Sequence, residues 1–199
     1  ALYTDPVNEK IYAIVGRKEG SSGEYLYQYE LTGTDGTVKA GLVRKFGNYS
    51  GKKEIEAIMV DNELGYVYYA DETSGIRKYY ADPQRGNEEL SFFGQKDFKR
   101  DHEGIALYKT SGKQGYILIS DQQANKFVVY RREGNTGAHD HKMIATIPFS
   151  SIECDGADAV NFDFGAPFSK GVFVAMSNGR VFQFYDWDTI QHEKDKQAK

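Results

Sequence analysis

Three times in this chain an acidic residue is followed by a small residue and an apolar run: Glu56-Ala57-Ile58, Glu103-Gly104-Ile105 and Asp155-Gly156-Ala157. The motifs stand 47 and 52 residues apart, and each opens a stretch with the same layout. After Glu56 come Gly65-Tyr66-Val67-Tyr68-Tyr69-Ala70-Asp71 and then Ile76 to Tyr80. After Glu103 come Gly115-Tyr116-Ile117-Leu118-Ile119-Ser120-Asp121 and then Phe127 to Tyr130. After Asp155 come Gly171-Val172-Phe173-Val174-Ala175 and Val181-Phe182-Gln183-Phe184. Short β-rich runs repeated at this period, with Gly, Asn and Asp turns between them, confine the chain to a series of equivalent small sheets. That is the signature of a β-propeller.

Ala1-Leu2-Tyr3 corresponds to Ala106-Leu107-Tyr108, so a further unit opens at residue 1 and its acidic residue would lie just upstream. Four units result, beginning near residues 1, 56, 103 and 155. The expected fold is all-β, one partial propeller domain over residues 1–199 that belongs to a longer ring. Cut strands leave unpaired N–H and C=O groups, so another segment is expected to close it.

Composition agrees: fifteen Tyr, twelve Phe and one Trp suit pleated surfaces, and 21 Gly suit tight turns. A net charge of −4 speaks against general nucleic-acid binding, which uses a basic excess. The single cysteine, Cys154, excludes an intrachain disulfide framework and reads as a small buried hydrophobe. No run approaches the ~18 apolar residues of a membrane span.

Strands are expected at about 11–16, 25–32 and 37–46; at 55–61, 65–70, 75–81 and 89–93; at 104–109, 115–120, 126–132 and 142–148; and at 157–162, 171–176 and 180–186. The polar tail from about residue 187 to 199 reads as a short fraying helix, with Trp187 and Ile190 as its large apolar anchors.

The first strand of each propeller blade lines the central channel, so Glu56, Glu103 and Asp155 are expected to converge at one end of it. Asp101, two residues before Glu103, lies on the same side of its strand. Acidic residues at strand starts also bond turn N–H groups and tie blades together. Three at one repeat position, with Asp101 and Glu72, favour a cation cluster instead, because crowded carboxylates repel unless a cation sits among them. Hard oxygen donors in such number suit Ca²⁺.

The runs Ile55-Glu56-Ala57-Ile58, Asp61 through Glu72, Asp101-His102-Glu103-Gly104-Ile105 and Asp155-Gly156-Ala157-Asp158 resemble the β-propeller phytases. So do Gly115-Tyr116-Ile117-Leu118, Tyr130-Arg131-Arg132-Glu133-Gly134 and Gly171-Val172-Phe173-Val174-Ala175. The likeness runs from residue 1 to about Ile190 in blade order and corresponds to four blades of a six-bladed ring.

The resemblance implies a calcium-dependent phosphatase that hydrolyses phytate, the hexakisphosphate of myo-inositol, taken as its calcium complex. Glu56, Glu72, Asp101 and Glu103 match positions that hold the catalytic ions, with Asp155 as a further metal ligand. Glu56, Asp101 and Glu103 carry the catalytic role. Lys18, in Gly16-Arg17-Lys18-Glu19-Gly20, matches a lysine that contacts substrate phosphate. Several Ca²⁺ ions would turn the carboxylates into a cationic platform and activate the attacking water, so no covalent intermediate is needed. Such a protein is expected to be secreted, periplasmic or at the cell surface, and monomeric when its ring is complete.

Other phosphatase chemistries find no motif: no Cys with Arg five residues on, and no Arg-His-Gly-x-Arg stretch. His139-x-His141 lies in what reads as an exposed turn and lacks the further ligands of a zinc site. The chain departs from the family twice. Pro148 to Cys154 is short and lacks an Asp-Gly step that supplies a carboxylate, for which Glu153 or Asp155 could substitute. Met176-Ser177-Asn178-Gly179-Arg180 replaces a long calcium loop, so a stabilising calcium is expected to be absent there. The alternative reading is therefore a phytase-like propeller that binds a phosphorylated ligand or a protein without chemistry.

Overall fold

The computed structural model describes residues 1–197. The chain is mostly β and divides into two compact units, Ala1–Phe92 and Phe93–Lys199. The first unit begins with four strands, β1 (Leu2–Thr4), β2 (Ile11–Gly16), β3 (Leu26–Thr34) and β4 (Thr37–Phe46), paired in chain order as an antiparallel meander. A second sheet follows with β5 (Ile58–Asp61), β6 (Tyr66–Asp71), β7 (Gly75–Tyr80) and β8 (Ser91–Phe93), whose last residue opens the second unit.

The second unit repeats the plan with β9 (Ile105–Lys109), β10 (Gly115–Asp121), β11 (Lys126–Arg131) and β12 (Met143–Pro148). Its other sheet has three strands, β13 (Ala157–Val160), β14 (Val172–Ser177) and β15 (Val181–Asp186). In each unit the opening strands of successive sheets are neighbours: β1 and β2 lie against β5, and β9 against β13. These are the features of consecutive propeller blades.

The repeat extends to irregularities. The register shifts opposite Gln28 and Tyr29 in the first sheet and opposite Val129 and Tyr130 in the third, each time with one extra residue in the fourth strand, Val43 or Ile144. A β-bulge at an equivalent place bends and twists both strands alike. The small residue of the acidic motif also has a fixed task. The carbonyls of Ala57, Gly104 and Gly156 accept hydrogen bonds from the N–H groups of Ala70, Ser120 and Met176, at 3.0, 2.9 and 2.8 Å.

Tyr12, Ile14, Leu26, Phe46, Val67 and Tyr79 form the centre of the first core. Arg44 ties its two sheets, donating to the Gln28 side chain and to the carbonyls of Gly86 and Tyr80, all at 2.9 Å. The second core gathers Leu118, Phe127, Val129, Ile147, Phe173 and Cys154. Cys154 is buried as expected, and burial pushes its thiol up to about 11.

Three expectations are revised. β1 was not foreseen, since three residues with one polar member carry little pattern; pairing with Ile11–Ala13 makes it a strand. β5 begins at Ile58 rather than near 55, because its ladder with β6 starts at the Ile58–Tyr69 pair. The stretch from Gly137 to Lys142 is not simply an exposed turn: His141 is buried, its Nδ1 is 3.1 Å from the Arg131 carbonyl, and its ring packs 4.6 Å from that of Phe93.

The tail forms a docked helix, α1 (Trp187–Gln197). Trp187 stacks flat on Tyr108, with ring centres 3.4 Å apart, and Ile190 is buried. The Gln197 amide pairs with both backbone groups of Thr146 on β12, satisfying part of an otherwise open strand edge. The expected fraying of the tail falls partly on residues 198 and 199, outside the described residues.

Candidate functional site: carboxylates at the blade openings

Each of the three motif-bearing repeats enters its first strand through an acidic-x-acidic segment: Glu54-Ile55-Glu56, Asp101-His102-Glu103 and Glu153-Cys154-Asp155. The middle residue is the anchor. Ile55 and Cys154 are core residues, and His102 is buried against Phe98 with ring centres 4.5 Å apart. In extended backbone the flanking residues point away from the middle one, so the first two segments carry their two carboxylates together; in the third, Glu153 lies in the left-handed region at φ 49°.

A hairpin turn is brought onto each segment. The N–H of Glu72 bonds the Glu54 carbonyl at 3.3 Å, that of Gln122 the Asp101 carbonyl at 3.0 Å, and that of Asn178 the Ile152 carbonyl at 2.8 Å. The residue before each turn locks the arrangement from below. Asp71 accepts from the Ser50 N–H and hydroxyl and from Arg77 Nε, Asp121 from the Lys99 N–H, and Ser177 from the Ile152 N–H. Thus Glu72, Gln122 and Asn178 hold one repeat position, and their side chains meet the acidic segments.

In the first unit this places a Glu56 carboxylate oxygen within 4.8 Å of one from Glu72. Glu72 is buried and Glu56 is exposed. Lys53 Nζ lies 3.2 Å from Glu72 Oε2, and Lys18 Nζ lies 2.8 Å from Glu54 Oε2. The hydrogen bond to Glu54 raises the Lys18 ammonium above the usual lysine range, and the same bond, with a contact to Glu56, lowers the Glu54 carboxyl. Lys18 is held by the donation of the Tyr25 hydroxyl to its carbonyl, 2.8 Å, while its side chain stays largely in solvent.

In the second unit, Asp101, Glu103 and Asp155 are joined by two glutamines. Gln122 Nε2 donates to Glu103 at 3.0 Å and to Asp155 at 2.6 Å. Gln123 Nε2 donates to Asp101 at 2.8 Å and to the Gln122 side-chain oxygen at 2.6 Å. Beside them opens a cleft of about 480 Å³ lined by Gln122, Glu153, Asp155 and the hairpin from Met176 to Phe182, including Arg180. Glu153 accepts from the Asn178 amide at 3.0 Å.

The expected residues are therefore gathered within their own units: Glu56 with Glu72, and Asp101 with Glu103 and Asp155. Lys18 stands on the acidic segment of the first. Glu54, Lys53, Gln122 and Gln123 were missed. Glu54 was legible by analogy, two residues before Glu56 as Asp101 is before Glu103, and Gln122 by its register with Glu72. The donor sets are all oxygen, mostly carboxylate with amide carbonyls, the chemistry that fits Ca²⁺ rather than a softer metal.

Comparison with known proteins gives two findings. The phytase family model matches residues 1–195 of the chain. Among curated proteins, the chain is 28% identical over 212 residues to the 3-phytase of Bacillus subtilis (strain 168), covering 96% of this chain and 52% of that protein. The chain thus spans about half the length of the curated relative it matches.

Proposed function

We propose, from the premise that this chain belongs to the phytase family, that it serves a calcium-dependent phosphomonoesterase acting on inositol phosphates. The observation that carries this reading is the approach of the Glu56 and Glu72 carboxylates to within 4.8 Å, one exposed and one buried. Held that close, two carboxylates call for positive charge between or beside them. In the proposal Glu56 and Glu72 hold calcium in the first unit, and Asp101, Glu103 and Asp155 in the second.

Bound there, Ca²⁺ would polarise phosphoryl oxygens and make a water molecule more acidic. The chain's own groups do the rest. Gln122 holds Glu103 and Asp155 at fixed separation through its two donated bonds, so the donors need little reorganisation. Lys18 supplies a cation for the transferred phosphate, kept beside Glu56 by Glu54. The cleft at Asp155 gives room for a ring bearing several phosphates, with Arg180 as a cationic wall.

Phosphate release from inositol hexakisphosphate, with calcium and with chelator, tests the proposal. Activity should require calcium. Glu56→Gln, which keeps the shape and removes the charge, should lower the rate about a hundredfold or more, the scale on which losing one charge-stabilising group acts. A folded protein that binds inositol hexakisphosphate but releases no phosphate would point to the non-catalytic alternative. Equal rates in parent and Glu56→Gln would remove Glu56 from the mechanism.

A further inference from the structure

We propose that Lys53 is a tethered counter-cation of the Glu72 carboxylate, holding it until a divalent cation displaces the ammonium, so that Lys53 sets the calcium affinity of the first unit. This inference rests on the calcium reading given above.

The Glu72 side chain is only 5% exposed, and a carboxylate taken so far out of water needs a cation or several donors. Lys53 Nζ, 3.2 Å from Glu72 Oε2, provides that charge. The two partners differ in mobility. Glu72 sits on a tight hairpin whose N–H is tied to Glu54 and whose next residue, Thr73, is in the left-handed region at φ 60°. Lys53 is a long side chain, 45% exposed, and can swing into water with its charge hydrated. An ammonium and a divalent ion cannot share one carboxylate comfortably. Both are cations, and their mutual repulsion grows with the charge of the metal. Occupation of Glu72 by metal therefore expels the lysine.

The repeat supplies an internal control. Three residues before Glu103, the position of Lys53 is taken by Arg100, and the hairpin residue facing that segment is the neutral Gln122. Arg100 is exposed, and its guanidinium makes no ion pair among the described residues. A basic residue stands at both places, but it is recruited only where the hairpin residue is charged. The pairing follows the charge of Glu72 rather than a general need of the turn.

Calorimetric titration of the whole chain with CaCl₂ at low ionic strength tests this. Lys53→Met keeps the length of the side chain and removes its charge. It should bind Ca²⁺ about fivefold more tightly than the parent, the equivalent of about 1 kcal/mol from one unit charge, and the gain should shrink as salt is raised. Lys53→Arg should keep the parent affinity. A second measurement needs no variant: acylation of Lys53 by an amine-reactive reagent, followed by mass spectrometry, should increase when calcium is added. Unchanged or weaker binding in Lys53→Met, or labelling of Lys53 that ignores calcium in a protein that binds it, overturns the proposal. Absence of calcium binding in parent and variants alike overturns the calcium reading and this inference with it.

Discussion

Lys18 and Glu54 show how a single contact changes what a residue can do. An exposed lysine in a glycine-flanked turn would ordinarily contribute little beyond solubility, and an exposed ion pair adds little to stability. Here the pair fixes an ammonium next to Glu56. In the proposed function that position serves binding rather than folding. Lys18→Ala should raise KM or lower kcat for inositol hexakisphosphate while leaving the calcium-induced rise in melting temperature nearly unchanged, because a phosphate contact and a metal ligand set are separate interactions. Steady-state kinetics together with melting curves check this. Unchanged kinetics would return Lys18 to the ordinary surface, and a lost calcium response would make it part of the metal site.

At the scale of elements, the repeated unit is more than a strand order. A buried polar residue ends the second strand of each motif-bearing repeat, caps the backbone of the segment that leads into the first strand, and so aims the hairpin residue at the carboxylates. Asp71 does this by accepting from the Ser50 N–H and hydroxyl and from Arg77 Nε, while the Ser177 hydroxyl accepts from the Ile152 N–H. Removal should be graded accordingly. Asp71→Ala, which removes three accepted bonds but leaves Arg77 paired with Glu89 at 2.7 Å, should cost about 1.5–3 kcal/mol, against about 1 kcal/mol for Ser177→Ala. Chemical denaturation of the two variants gives the comparison, and equal costs would contradict the latch.

Much of this level was legible in advance. The acidic motif, the strands around Tyr66–Tyr69 and Ile117–Ile119, the anchoring roles of Trp187 and Ile190 and the burial of Cys154 could all be read from spacing and apolar pattern. The place of Gln122 was open to the same repeat logic through its register with Glu72, but the bonds it makes with Gln123 and the Lys53 pair were not, since neither the direction of a polar amide nor a surface lysine leaves a periodic trace. They acquire roles only once a hairpin and a loop distant in sequence are brought together. His141 escaped for a related reason: its neighbours in sequence are polar, and what buries it is Phe93, far along the chain.

Across the whole chain, family membership goes with a repeat that delivers carboxylates at successive strand openings and with donor sets suited to a hard divalent cation. The described residues include no helix long and apolar enough to cross a membrane. In the proposed function these carboxylates bind calcium in the folded state. A ligand that binds only the native state stabilises it by RT ln(1 + [L]/Kd), about 2.7 kcal/mol at a hundredfold excess over Kd. For a chain of this size that is a shift of about 5 °C or more. The direct measurement is the melting temperature of the 199-residue chain as calcium is titrated in and then removed with chelator. The melting temperature should rise reversibly with calcium, and less so in Glu56→Gln; a folded protein whose melting temperature ignores both calcium and chelator would rule out calcium binding by these carboxylates.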